Sequence, residues 1–405
     1  MVIYHLSDLH FRTADDFDRQ VVLRALWRDI GQQMKAGLVP DCIAVTGDIA
    51  WSGKPEEYKR AESDFFLPLL ERTNLNRDDI FLVPGNHDVD RDVLSDVNPE
   101  KIASLCDRET VNKFIGQPRT LSRYLASFEA YRQFEAALCG TTYDPTTAEL
   151  SYCRQLPRRK NVVMVGLNTA WTSGYSGIPN RGSTEQGHLI VGERQVIDSV
   201  KQTEGAELVL MLMHHPLYWL ADFDKATVEP LFTSHADFVL HGHVHRPSEV
   251  SSIVGIVGGY VNLGAGAAYD RRVGAEPYVN SYSIADIDLS KRSVTITVRK
   301  YVDAPTSRWT SHEDLVGEGS KGVKHLFIPS SSGARVHLQS VAEKRRITST
   351  SEIFRTFKGH ANFFSRADSR LKRNGSPLSN LLIRIFEDLI VDWINSQEIK
   401  FVDFS

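Results

Sequence analysis

Seven side chains that can hold a metal fall at the ends of short apolar runs. They are Asp8 and His10 in "YHLSDLH", Asp48 in "AVTGD", Asn86 in "VPGNHD", His214 in "LMHHP", and His241 and His243 in "LHGHVH". Carboxylate, imidazole and amide oxygen, with no thiolate, suit hard to borderline divalent ions such as Mn, Fe, Zn, Co or Ni. Asp8-x-His10 and His241-x-His243 share one spacing. Residues two apart in an extended chain point the same way, so each pair can present two ligands from one strand end. Seven ligands exceed the four of a structural zinc. They suit two ions sharing a carboxylate, held roughly 3.5–4 Å apart in hydrolytic sites. Such a pair binds a phosphoryl group, lowers the pKa of a bound water and stabilises developing charge. Asp48 is the natural bridge, because it ends a central run between the other clusters. Taken singly, each residue is more often a cap or a surface group; their recurrence at run ends carries the signal.

The runs themselves are β-rich and nearly continuous in apolar residues, as strands buried on both faces are. Between the first two, "FDRQVVLRALWRDIGQQMKAG" has helical spacing, and Gly37 can end that helix. Between the second and third, "PEEYKRAESDFFLPLLERT" also reads as helix. Strand, helix, strand implies parallel βαβ units. Open sheets of that kind bind ligands beyond the carboxyl ends of their strands, where all five clusters lie. From about 92 to 150 the pattern turns helical and more polar, an insertion that could cap one side of the cleft. "NVVMVGLNTAW" is a further strand, followed by a loop rich in Gly, Ser and Asn. Strand-like runs between 245 and 329 suggest a second sheet. The expected domains are 1–329 and, beyond a Ser-Ser-Ser-Gly linker, a helical extension over 334–405.

The 405 residues are 41% hydrophobic and 24% charged, which is ordinary globular composition. A formal net charge of -4 excludes a polycation that holds nucleic acid by charge alone, though not a local basic patch. Four scattered cysteines form no CxxC pair, which argues against thiolate zinc and redox chemistry. No apolar stretch reaches the roughly 18 residues of a membrane span. "MVIYHLSDLH" lacks the regions of a signal peptide, so a cytoplasmic location is expected.

"DLH", "GD", "GNHD", "MHHP" and "GHVH", in this order over about residues 2–245, resemble the calcineurin-like metallophosphoesterase superfamily. The resemblance implies an α/β, two-sheet αββα sandwich flanked by helices and a binuclear site. Asp8, His10, Asp48 and His243 would hold one ion, and Asp48, Asn86, His214 and His241 the other. His87 would touch the phosphate and protonate the leaving oxygen, and Asp88 would orient His87 by accepting its other ring hydrogen. The implied reaction is hydrolysis of a phosphodiester by a metal-bound hydroxide. The order resembles the cyclic-nucleotide phosphodiesterase branch. The nuclease branch shares these residues, so DNA or RNA stays open as substrate, as does a phosphomonoester. A non-catalytic scaffold fits less well, because no ligand position is substituted. The native ion, among Mn, Fe and Zn, is not legible.

Arg12, two residues after His10, could pair with a phosphate, and Asn168, at the end of a strand, could meet substrate. Solvated and structural roles compete with both readings. His5 and His215 read as structural neighbours, and His245 lies just past the last motif. The apolar face of the last helix, with Leu382, Phe386 and Trp393, suits packing on the main domain, a homodimer or a larger assembly.

Overall fold

The computed structural model describes residues 1–329, apart from 15, 95–96, 141–149, 176–184, 246–249, 255–257, 272–278 and 317–319. The expected helical extension over 334–405 and its apolar face lie outside the described residues.

The chain starts with strands β1 (Val2–Leu6), β2 (Cys42–Val45) and β3 (Ile80–Leu82), paired in parallel. A second group follows: β4 (Ser151–Leu156), β5 (Arg159–Leu167), β6 (Leu208–Leu212), β7 (Phe238–His241), β8 (Val250–Val254) and β9 (Gly259–Gly264). The last group is β10 (Ser281–Asp288), β11 (Ser293–Val302), β12 (Arg308–Ser311) and β13 (Val323–Phe327). One sheet has the order β12-β11-β10-β1-β2-β3, with β13 also on β11; the other has β4-β5-β6-β7-β9-β8.

The five ligand-bearing runs therefore divide between two sheets, rather than sharing one. The late strand-like runs do not form a sheet of their own either. β8 and β9 complete the sheet of β5–β7, whereas β10 pairs antiparallel with β1 and draws β11 to β13 into the first sheet. β1 was left with an open edge by its parallel partners, and β10 satisfies that edge's backbone groups.

The two sheets pack face to face. Ile3, Ala44 and Phe81 from one meet Met164, Leu210 and Leu240 from the other in a shared apolar layer. The opposite face of the first sheet, with Tyr4, Leu6, Val45 and Leu82, is covered by helix α1 (Phe17–Lys35), α2 (Pro55–Ala61) and α3 (Leu67–Thr73). Alternation along β1 sends Ile3 one way and Tyr4 and Leu6 the other, the period-two pattern of a strand buried on both faces. Asp16 caps α1 by accepting from the Arg19 N–H at 3.1 Å. The helix expected from 55 to 73 forms with a π turn at Glu62–Phe66 in its middle. Residues 91–139 are mainly short helices, and Leu94, Phe114 and Tyr124 among them pack with Trp171 into a separate apolar cluster.

Register explains why the polar ends meet. Leu6 pairs with Val45, and Val45 with Leu82, so three chains leave one sheet side by side. Asp8, Asp48 and Asn86 come two to four residues later. In the facing sheet Leu212 pairs with Leu240, and His214 follows two residues on.

Candidate metal centre

Asp8, His10 and Asp48 leave their strands through backbone turned to positive φ, at 55°, 50° and 53°. His243 and His245 do the same at 72° and 52°. Non-glycine residues rarely adopt this region, and such strain gathers where function over-determines it. Only Asn74, Arg292 and Lys321 share it among the other described non-glycine residues. The loops interlock: the Asp8 N–H donates to the Gly47 carbonyl at 3.0 Å and the His10 N–H to the Asp48 carbonyl at 2.9 Å. Gly47, at φ +93°, must lack a side chain, since a Cβ would sit 2.5 Å from His214 Nδ1.

Two groups of donor atoms result, each with its members within 4.8 Å of one another: Asp8, His10, Asp48 and His245, and His214, His215 and His243. Asn86 joins the second group, its Oδ1 lying 3.1 Å from His214 Nε2. One oxygen of Asp48 links them, 3.3 Å from both His10 Nε2 and His214 Nε2. The mixed oxygen and nitrogen set, with a shared carboxylate, fits one or two borderline divalent ions.

His241 is not part of this cluster, contrary to expectation. β7 keeps His241 in ladder register with Gly264, and its ring lies over that glycine with Nε2 3.4 Å from Asn262 Nδ2. After Gly242 the chain leaves the strand, so the two-residue alternation no longer applies. His243 and His245 turn inward instead, and His245 Nε2 comes 3.2 Å from Asp8 Oδ1. The ligand assignments shift accordingly: His245 replaces His243 beside Asp8, and His243 replaces His241 beside His214. The motif itself held the signal, because "GHVH" starts at Gly242 and its histidines are His243 and His245.

Asp88 is corrected as well. Its carboxylate accepts from the N–H groups of Ile49, Ala50 and Gly85 at 3.1, 2.9 and 2.8 Å, and from the Tyr58 hydroxyl at 3.0 Å. It ties the loop after β2 to the loop after β3, which positions Asp48 and Asn86. His87 is oriented by Trp51. His87 Nδ1 lies 2.8 Å from the Trp51 carbonyl, which can only accept, so Nδ1 carries the hydrogen of that bond. The Trp51 ring flanks His87 at 4.6 Å between centroids. Nothing in the "GNHD" motif identified Trp51, which acts through its backbone.

Arg12 reaches the rim of the site, its guanidinium 3.8 Å over the exposed Trp51 ring. Asn168 is used by its own turn: it is buried, and its Oδ1 accepts from the Ala170 N–H at 2.9 Å. That bond accounts for Asn168 without substrate. On the far side Trp219 meets the His243 ring edge-on at 4.0 Å. His215 Nδ1 is 2.9 Å from Thr169 Oγ1, while its buried Nε2 has no hydrogen-bond partner among the described residues. His5 is a buried structural residue bonded to Thr46.

Burial works against charge on Asp48, but His214 and His10 outweigh it and hold the carboxyl well below its ordinary range. Burial likewise opposes charge on His214, yet Asp48 and Asp8 lift it to about 9. Burial and the neighbouring His214 push His243 down to about 3. Burial, with the charge of Asp48, raises Asp88 to about 6 against the pull of its N–H donors.

The family profile for calcineurin-like phosphoesterases matches residues 1–247. The chain belongs to the calcineurin-like phosphoesterase family. It is 22% identical over 258 residues to an uncharacterized metallophosphoesterase-like protein, YydB of Bacillus subtilis, a match covering 60% of this chain. It spans about half of that relative, 48% of its length. Among solved structures, Vps29 of Chaetomium thermophilum overlaps 81% of this chain and all of its own, at 12% identity and a TM-score of 0.31. A hypothetical protein from Thermus thermophilus overlaps 76% of this chain and 96% of its own, at 14% identity and a TM-score of 0.32. The fold described above stands on its own strand order. No helix among the described residues is long and apolar enough to cross a membrane.

Two outcomes follow from this geometry. Asp88→Ala strands buried donors, each costing about 1–3 kcal/mol. Urea denaturation should show a loss of about 3 kcal/mol or more; a loss under about 1 kcal/mol would refute the clamp. In metal-free protein the folded His214 pKa of about 9 exceeds its unfolded value of 6.5. The stability this confers is complete below 6.5 and lost as pH rises through about 9. Melting temperature should fall between these values in the wild type, and the fall should shrink in His214→Gln; identical pH profiles would contradict the assignment.

Proposed function

We propose that this chain is a phosphodiester hydrolase that works with two divalent ions. The single observation that carries this reading is Asp48 Oδ2, equidistant from a histidine of each donor group. A shared carboxylate is what a two-ion site needs and a single-ion site does not. Bound ions would polarise the phosphoryl oxygens and lower the pKa of a water. The protein's own part is to orient. Asp8, His10 and His245 would hold one ion, and Asn86, His214 and His243 the other, with Asp48 between. His215 stands within reach of the second group, and its Nε2 has no hydrogen-bond partner among the described residues.

His87 would handle the leaving oxygen. Its backbone N–H donates to Asp48 Oδ1 at 2.8 Å and its ring is fixed by the Trp51 carbonyl; Nε2 would then meet the substrate. The choice of a diester rests on the resemblance of the motifs to the cyclic-nucleotide phosphodiesterase branch.

The test is hydrolysis of bis(p-nitrophenyl) phosphate and p-nitrophenyl phosphate with Mn²⁺, before and after EDTA. The diester should be preferred, and EDTA should abolish turnover. His87→Ala should lose about 100-fold or more on a cyclic nucleotide, whose alkoxide needs a proton, and less on the nitrophenyl diester. EDTA-resistant turnover, or an equal loss on both diesters, would overturn the reading.

A further inference from the structure

A second candidate site lies on the helices that cover the first sheet. Arg24 and Arg28 are exposed and one turn apart on α1, with Trp27 half-buried between them. Arg72 of α3 sets its guanidinium 5.3 Å from the centroid of the Trp27 ring. The three arginines, Trp27, Val21 and Ser307 line a cleft of about 620 Å³. Their hydrogen bonds go to neutral oxygens: Arg24 to the Gln20 side chain, Arg28 to the Ser307 carbonyl and Arg72 to the Pro68 carbonyl. A guanidinium has five donors, and each of these spends one.

No carboxylate within ion-pair distance answers these three charges among the described residues. Other exposed arginines, Arg91, Arg119 and Arg123 among them, also lack such a partner among the described residues, whereas Arg108, Arg158 and Arg194 have Glu193, Asp79 and Asp198; what sets Arg24, Arg28 and Arg72 apart is that they line one cleft. Three like charges around one cleft repel one another, and an anionic ligand removes that cost. Planar guanidiniums also match phosphate geometry better than ammonium groups do. An adjoining cleft of about 380 Å³ shares Arg24 and Trp27 and extends to Arg19 and Arg60, whose charges are answered there by Asp16 and Asp64, so the unanswered charge is confined to the first cleft. The Arg19 guanidinium donates to the His10 carbonyl at 2.7 Å, so the groove ends on the loop that carries a candidate metal ligand.

We propose that this groove binds the backbone of a single-stranded nucleic acid, its phosphates on Arg24, Arg28 and Arg72. The arginines are spread over a helical turn and two helices, which suits successive phosphates of a strand more than one small anion. The proposal rests on the phosphodiester reading for its link to chemistry, but its test is binding alone.

Full-length, EDTA-treated protein is titrated against a fluorescein-labelled oligothymidylate, and anisotropy is followed over a range of NaCl. Three phosphate contacts at about 0.7 each give a slope of log K against log salt near about −2. Arg24→Gln/Arg28→Gln/Arg72→Gln should bind at least about tenfold more weakly with a slope near zero. Replacing Arg108, Arg158 and Arg194 by Gln should change little. Arg28→Gln alone, which disturbs only an exposed side chain, should lower the slope by about 0.7. The proposal is overturned if the wild type does not bind, if the triple variant binds as the wild type does, or if millimolar inorganic phosphate displaces the strand as fully as unlabelled oligonucleotide. Hydrolysis of bis(p-nitrophenyl) phosphate by the metal-loaded triple variant should stay within about twofold of wild type. Strand binding without any such hydrolysis in the wild type would leave the groove standing and sink the hydrolase reading.

Discussion

Three carboxylates, those of Asp8, Asp48 and Asp88, are buried at one end of one sheet. Buried charge of one sign is costly unless it is paired or hydrogen-bonded. Here the compensation comes from two sources. Asp88 collects the N–H donors of both neighbouring loops, whereas Asp8 and Asp48 meet imidazoles delivered by the facing sheet. The sandwich and the candidate metal centre are thus one arrangement: the acids and His10 on one layer, His214, His243 and His245 on the next, and an apolar interior that sets them opposite each other.

The same constraint accounts for the strained backbone. Asp8, His10, Asp48, His243 and His245 all take positive φ. Each has to turn from its strand direction toward the seam between the sheets. Gly47 and its neighbours supply room where side chain meets backbone, and Arg19 holds the Leu9 and His10 carbonyls from behind. Trp51 and Trp219 then wall the two sides, one against His87 and the other against His243. The result is a set of ligands positioned by loops, but loops whose turns are fixed by buried hydrogen bonds.

Much of this was legible in the sequence. Fully buried strands write themselves as unbroken apolar runs, and polar residues that end such runs in succession point to one place. The parallel β1, β2 and β3 and the helices between them could be read for that reason. What could not be read was long-range. Nothing local says that β10 pairs with β1 rather than with a strand nearer in sequence, so the division of runs between sheets was invisible. Reading His241 as a ligand assumes that strand alternation continues through Gly242. The strand stops there, and His245 takes the place beside Asp8. The family resemblance implies that Asp88 orients His87. Burial gives that aspartate a different task, and a main-chain carbonyl, which no side-chain motif reveals, orients the imidazole.

Asp8, His10, Asp48 and Asn86 of one sheet and His214, His243 and His245 of the other form a single candidate metal centre, with His241 outside it. The most direct test is the metal content of wild type, His245→Ala and His241→Ala after equilibrium dialysis against Mn²⁺. The account expects two ions per chain in wild type, loss of one in His245→Ala, and a count in folded His241→Ala close to that of wild type. Full occupancy in His245→Ala together with loss in a folded His241→Ala would contradict it.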